Sequence, residues 1–468
     1  MIMNNEEQNN HARVSVQHGV DHYNDFSAIY SLVVEAIKAL KLPDNYVRPG
    51  DRVVLKPNWV KEHDERYPGP DQWEHVVTHP AVIEAVIRWV AECLKGEGSI
   101  VVCDAPQTDS SFSMLSDYCN LDELIERSRA NYPDLKIELL DLRPEEWQSV
   151  DGITVSKKKL QGDPLGETFV ALNEASEFFG FIGNGQLYGA SFNIDETNEH
   201  HQGNRHEYML CRTPMDADVL INIPKLKTHK KVGLTCALKN LVGINANKNW
   251  LPHHTEGTPD KGGDQFPMST TKAKLEHSWM GRLKRIVNGR PFLSRIFVPL
   301  KKVGRLFFGD TQRVVRSGNW HGNDTCWRMV LDLNKCLFDF DGTGEPRKQP
   351  LRYLVIVDGI IGGEGNGPMA PDRKPCGAII AGTHPAAVDT TAAVLMGFEW
   401  KNIRLLKNAF LMGKRNFVPF RQTDIQVISN KPEWNGPISQ MKDRFDFVPH
   451  FGWVGAIERS QDSTVADQ

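Results

Sequence analysis

In the stretch INIPKLKTHKKVGLTCALKNLVG, three side chains able to carry charge occupy alternate positions: Lys225, Lys227 and His229. If the chain stays extended past Pro224, alternation puts these three on one side and Leu226 and Thr228 on the other. Two ammonium groups and an imidazole along one edge suit a phosphate or a carboxylate. The imidazole titrates near neutrality and could also carry a proton or ligate a metal.

The same junction of apolar run and polar residue recurs. Lys56 and Asn58 follow Val53-Val54-Leu55, Asp104 follows Ile100-Val101-Val102-Cys103, and Asp358 follows Tyr353-Leu354-Val355-Ile356-Val357. Beyond Asp358 lies a glycine-rich run, Gly359 to Gly367, that includes Glu364, Gly365 and Asn366. Such a run lets backbone N–H groups approach a ligand closely. It is neither GxGxxG opening a helix nor GxxxxGK[ST], so neither a dinucleotide site nor a P-loop is implied.

These groups need a parallel sheet to bring them together, because its strand ends share one edge and converge on one cleft. On that basis Lys56, Asn58, Lys225, Lys227, Lys239, Asn240, Gly365, Asn366 and Gly367 are the expected anion-binding residues. His229, Asp104 and Asp358 are the expected catalytic ones, and Asp358 with Glu364 could hold a divalent metal or supply a base. The competing reading is structural: charged residues at strand ends also form internal salt bridges and helix caps. His321 and Asp324 are secondary candidates beside a basic insertion.

The elements that would position them alternate as a doubly wound α/β fold requires. Strands are expected at 13–17, 52–59, 99–104, 135–140, 219–223, 353–358, 376–381 and 424–428. Helices are expected at 25–40, 80–94, 121–130, 234–242, 326–337 and 385–396, several of them with apolar residues at helical spacing. Gly359 to Gly367 is read as a loop, and 144–204 as short strands or a flap. The expected organisation is a disordered tail over 1–10, an α/β domain over 11–245 and 319–400, a polar and basic helical insertion at 246–318, and a C-terminal extension over 401–468. At 468 residues the chain is long for a single core.

Composition narrows the function classes. A net charge of −4 argues against a nucleic-acid binder. The eight cysteines include no CxxC and no cluster at zinc or iron–sulfur spacing, so no iron–sulfur cluster is expected. No run reaches about 18 apolar residues, and the N-terminal MIMNNEEQNN is polar, so a cytoplasmic protein is expected. Residues 272–316 hold twelve Lys or Arg against Glu276 and Asp310, with Trp279, Met280, Leu283, Ile286 and Val287 forming one stripe. A basic amphipathic segment of this kind suits a membrane surface. Packing against the protein itself or a second subunit, with a solvated basic face, is the alternative. Nothing in the residues specifies an oligomeric state.

The segments INIPKLKTHKKVGLTCALKNLVGI, VVLKPNWV, and DGIIGGEGNGP followed by AIIAGTHPAAVDTTAAVLMG resemble the domain of unknown function 362 family, over roughly 51–397. Some relatives carry ferredoxin-type cysteine clusters, which this chain lacks. The resemblance implies where the site is and names no reaction. Three functions follow as expectations: an enzyme acting on an anionic small molecule, a peripheral membrane or assembly protein working through the insertion, or an oxidoreductase accessory relying on a separate electron-transfer partner.

Overall fold

A computed structural model describes residues 11–459 except 151–152, 182, 184–185, 192, 269–313 and 412–416. The tail 1–10 and nearly all of the basic stretch 272–316 lie outside the described residues.

Eleven strands form one sheet. In chain order they are β1 (Arg13–His18), β2 (Arg52–Pro57), β3 (Ser99–Asp104), β4 (Lys136–Asp141), β5 (Val219–Ile223), β6 (Lys225–His229), β7 (Gly233–Thr235), β8 (Arg352–Asn366), β9 (Ala370–Gly382), β10 (Gln426–Ser429) and β11 (Gly436–Pro437). The order across the sheet is β11-β10-β1-β9-β8-β5-β2-β3-β4, with β6 added against β8 and β7 against β6. From β8 through β4 the neighbours run parallel. Antiparallel β9 joins β8 to β1, and the region after residue 401 supplies β10 and β11 to the far edge.

Both faces of the sheet are covered, which is why its central strands are apolar at successive positions. Val53, Leu55, Ile100 and Val102 face one layer, built from α1 (Phe26–Ala39), α2 (Pro80–Leu94), α3 (Phe112–Cys119) and α4 (Leu121–Asn131). Val54, Val101 and Cys103 face the other, which contains α5 (Ala237–Asn240), α6 (Cys326–Asp339) and α7 (Pro385–Met396). The α/β doubly wound reading therefore holds, and most expected elements appear within a residue or two of their expected bounds. Pro80 opens α2 at a position where its missing N–H costs nothing, with the His79 ring capping Ala81 N.

Two local expectations are corrected. The segment 234–242 is not one helix. Gly233, at φ +87°, turns the chain back so that Thr228 pairs with Leu234 and Lys227 with Thr235. Only Ala237–Asn240 is α-helical, and its first N–H groups are held by Asp389 from α7, at 2.7 Å to Ala237 N and 3.0 Å to Leu238 N. Burial pushes the Asp389 carboxyl up to about 7.

The glycine-rich run is likewise a strand, not a loop. β8 continues through it, and Gly362 to Asn366 pair with Lys374 to Ala370 of β9. Glycine is needed there because other backbone passes close: a Cβ on Gly363 would stand 2.7 Å from His75 O, and one on Gly367 2.1 Å from Thr228 O.

Candidate functional site

The carboxyl ends of β2, β3 and β6 open onto a cavity of ≈ 390 Å³. Lys56 leaves the end of β2 and Asp104 the end of β3. Their side chains meet at 2.8 Å, and Lys56 also donates to Pro57 O. Asp104 accepts two backbone N–H groups as well, Trp59 N on Oδ2 and Ala105 N on Oδ1, each at 2.8 Å. Beside this pair a relay of amides runs into the core. Asn58 donates to Asn240 Oδ1 at 2.7 Å, Asn240 donates to Asn222 Oδ1 at 2.7 Å, and Asn222 donates to Tyr353 Oη and Ala237 O. Short helix α5 therefore places Asn240 and Lys239 rigidly against the strand ends.

Lysines dominate the wall: Lys56, Lys227, Lys230, Lys231, Lys239 and Lys248. Lys227 is fully buried and donates to Val76 O, and burial pushes its pKa well below the usual lysine value. Lys239 makes no side-chain hydrogen bond among the described residues, and burial lowers its pKa too. Burial brings Lys231 down to about 7, with Ser317 O, His253 O and His254 Nδ1 around its ammonium group. Lys248 is lowered to about 8 by burial and donates to the carbonyls of Ala105, Val242 and Asn245, so it is charged at neutral pH. Among the described residues the acidic ones in the wall are Asp104 and Asp109, and each already has a lysine partner, Lys56 and Lys61 respectively. The remaining lysines have no carboxylate partner among the described residues. Ammonium groups are costly to bury alone, and the charge of an anion would offset that cost.

Three imidazoles complete the wall, those of His229, His253 and His254. His229, at the end of β6, and His253 both have pKa values pushed well below 6.5, first by burial and then by nearby lysines, Lys239 foremost.

Of the expected residues, Lys56, Asn58, Asp104, Lys227, His229, Lys239 and Asn240 line this cavity, whereas Lys225, Asp358, Glu364, Gly365, Asn366 and Gly367 do not. Lys225 shares a strand face with Lys227, but the pairing of β6 with β8 slips between them, from Lys225↔Asp358 to Lys227↔Gly363. Lys225 stops at Asp358, 2.8 Å away, and Tyr23 Oη lies within hydrogen-bond reach of both. Asp358 also accepts His79 N, and the Tyr23 and His79 rings stack 3.6 Å apart, so this is a sealed polar cluster in the core. Glu364 pairs with Lys374 at 3.2 Å and accepts Val448 N. Both members of the suggested metal pair are thus engaged by protein donors. Among the described residues no group of three or more His, Cys, Asp or Glu could hold a metal ion. His321 is exposed near Gly452 O, and Asp324 bridges Arg328 and Arg404; neither reaches the cavity.

Sequence reasoning missed Lys231, Lys248 and His253 as site residues. Lys231 belongs to the same basic run, KLKTHKK, and could have been included. Lys248 and His253 come from the polar stretch after Ile244, where no apolar run precedes them to mark a strand end.

Among curated proteins, a thylakoid-associated protein of Synechocystis sp. is 25% identical over 216 residues, which is 46% of this chain and 46% of that protein. The match spans less than half the length of that relative. A family model described as a domain of unknown function (DUF362) matches residues 53–170 and 185–394, and so takes in the strand ends, the lysine-rich β6 and α5. The chain belongs to the DUF362 family.

Proposed function

We propose that the protein is an enzyme that binds a phosphate- or carboxylate-bearing small molecule in the lysine-lined cavity. One observation carries this reading: Lys227, Lys231, Lys239 and Lys248 enter the wall without a carboxylate partner among the described residues, while Asp104 and Asp109 are already paired. Burying an ammonium group without a counter-charge costs several kcal/mol, and strongly perturbed lysines in a cleft are a mark of function. Lys239, with no hydrogen-bond partner of its own among the described residues, holds the anion, and the imidazoles of His229 and His253 serve proton transfer.

Isothermal titration with sulfate, pyrophosphate and citrate tests the reading. Saturable binding by at least one, weakened by added salt, is expected. Lys239→Gln lowers the affinity about tenfold or more, and Lys38→Gln, on an exposed helix face, leaves it unchanged. Failure of all three anions to bind contradicts the proposal.

A second reading draws on the thylakoid-associated relative and on the twelve basic residues of 272–316. In it the basic stretch brings the protein to an anionic lipid surface. Co-sedimentation with anionic but not neutral vesicles, abolished by deleting 272–316, is the expected result; equal recovery with both vesicle types rejects it.

A further inference from the structure

Two of the three imidazoles of the cavity wall, those of His229 and His253, offer opposite hydrogen-bonding chemistry. His229 Nδ1 accepts the backbone N–H of Lys231 at 3.0 Å, so in the neutral ring the proton is on Nε2. His253 Nδ1 lies 2.7 Å from Leu251 O, and a carbonyl can only accept, so there the proton is on Nδ1 and Nε2 is left as a lone pair. Neither Nε2 has a hydrogen-bond partner among the described residues, and both rings line the cavity. Burial first, and then the lysines beside them with Lys239 foremost, disfavour protonation of either ring.

A wall made only of donors would be satisfied by any anion. His253 Nε2 is an acceptor, and a fully ionised carboxylate or phosphate has no proton to offer it. An amino substituent would be charged at neutral pH and repelled by the surrounding ammonium groups. A hydroxyl supplies the missing donor without charge, and its oxygen can in turn accept from His229 Nε2–H.

We propose that the anion taken by this cavity carries a hydroxyl group, which donates to His253 Nε2 and accepts from His229 Nε2–H while the anionic group meets Lys239. This rests on the anion-binding reading above and narrows it to hydroxycarboxylates and hydroxyalkyl phosphates. His253 then stands where a general base for that hydroxyl belongs.

Two matched pairs of probes test it by calorimetry: malate against succinate, and glycerol 3-phosphate against propyl phosphate. In at least one pair the hydroxylated member binds about tenfold tighter, because an acceptor that the ligand covers without pairing is penalised. His253→Phe abolishes that preference, so that the two members of the pair bind with about equal affinity. If His253→Phe fails to fold, nitrogen NMR of the wild-type histidines replaces it: the His253 Nε2 resonance shifts with the preferred hydroxylated anion and not with its partner. Equal affinities in both pairs, a preference that survives in His253→Phe, or an unmoved Nε2 resonance overturns the inference and leaves anion binding intact. No binding by any of the four overturns the inference, and the anion-binding reading falls with it when sulfate, pyrophosphate and citrate fail as well.

Discussion

Lys56 of β2 and Asp104 of β3 meet at 2.8 Å across the ends of two adjacent parallel strands, and neither side chain is more than 4% exposed. The pair neutralises a carboxylate that would otherwise balance the other lysines of the cavity. The wall lysines left without a carboxylate partner among the described residues are therefore Lys227, Lys230, Lys231, Lys239 and Lys248.

The Lys56–Asp104 pair depends on having no side chain at residue 243. A Cβ on Gly243 would lie 1.9 Å from Asp104 Oδ1 and 2.6 Å from Lys56 Nζ. Gly243→Ala is expected to cost about 1–3 kcal/mol, as overpacking does, and to weaken sulfate binding about tenfold by displacing Lys56. Chemical denaturation and calorimetry read the two effects; an alanine variant with unchanged stability and affinity would contradict this geometry.

The cluster behind the wall makes a contrasting prediction. Lys225 and Asp358 are both fully buried and 2.8 Å apart. Asp358→Ala leaves an uncompensated ammonium group in the core and is expected to cost about 3–5 kcal/mol, with anion affinity of the folded variant within about twofold of wild type. Urea unfolding followed by titration at low temperature checks both. Stability retained with binding lost would move Asp358 into the site.

Much of the fold was legible because its strands are unbroken β-branched runs and its helices have apolar residues at helical spacing. The cavity residues at strand ends, Lys56, Asp104 and Lys227, were legible for the same reason. Three kinds of information were not. Leucines four positions apart, Leu234 and Leu238, suit a helix by spacing, but Gly233 and the pairing of Thr228 with Leu234 made the first of them a strand residue. Glycine permits close approach of either a ligand or another strand, and at Gly363 and Gly367 it was backbone that approached. The slip between Lys225 and Lys227 separates neighbours on one strand face, and only the register with β8 reveals it.

pH supplies an independent handle through Lys231 and Lys248, whose pKa values fall to about 7 and about 8 against 10.5 for a free lysine. Between those folded values and 10.5 the unfolded chain holds protons that the native protein does not, so the contribution of these two groups to stability rises with pH through that window. A bound anion favours the charged form, so binding takes up protons and affinity falls as pH rises. Sulfate, whose charge is constant here, is expected to bind progressively more weakly from about pH 7 to 10, by at most about tenfold per unit for each proton taken up. Lys231→Met should flatten the lower part of the profile. An affinity independent of pH across this range contradicts the assignment.

Lys239 and its neighbours are expected to hold an anion at the strand ends. Diffraction from crystals soaked in tungstate tests it most directly, because the anomalous signal locates a tetrahedral dianion whatever the natural substrate is. A peak within hydrogen-bonding distance of Lys239 Nζ is expected in the wild type, with its loss in Lys239→Gln. A cavity without tungstate, or a peak that persists unchanged in the variant, would contradict it.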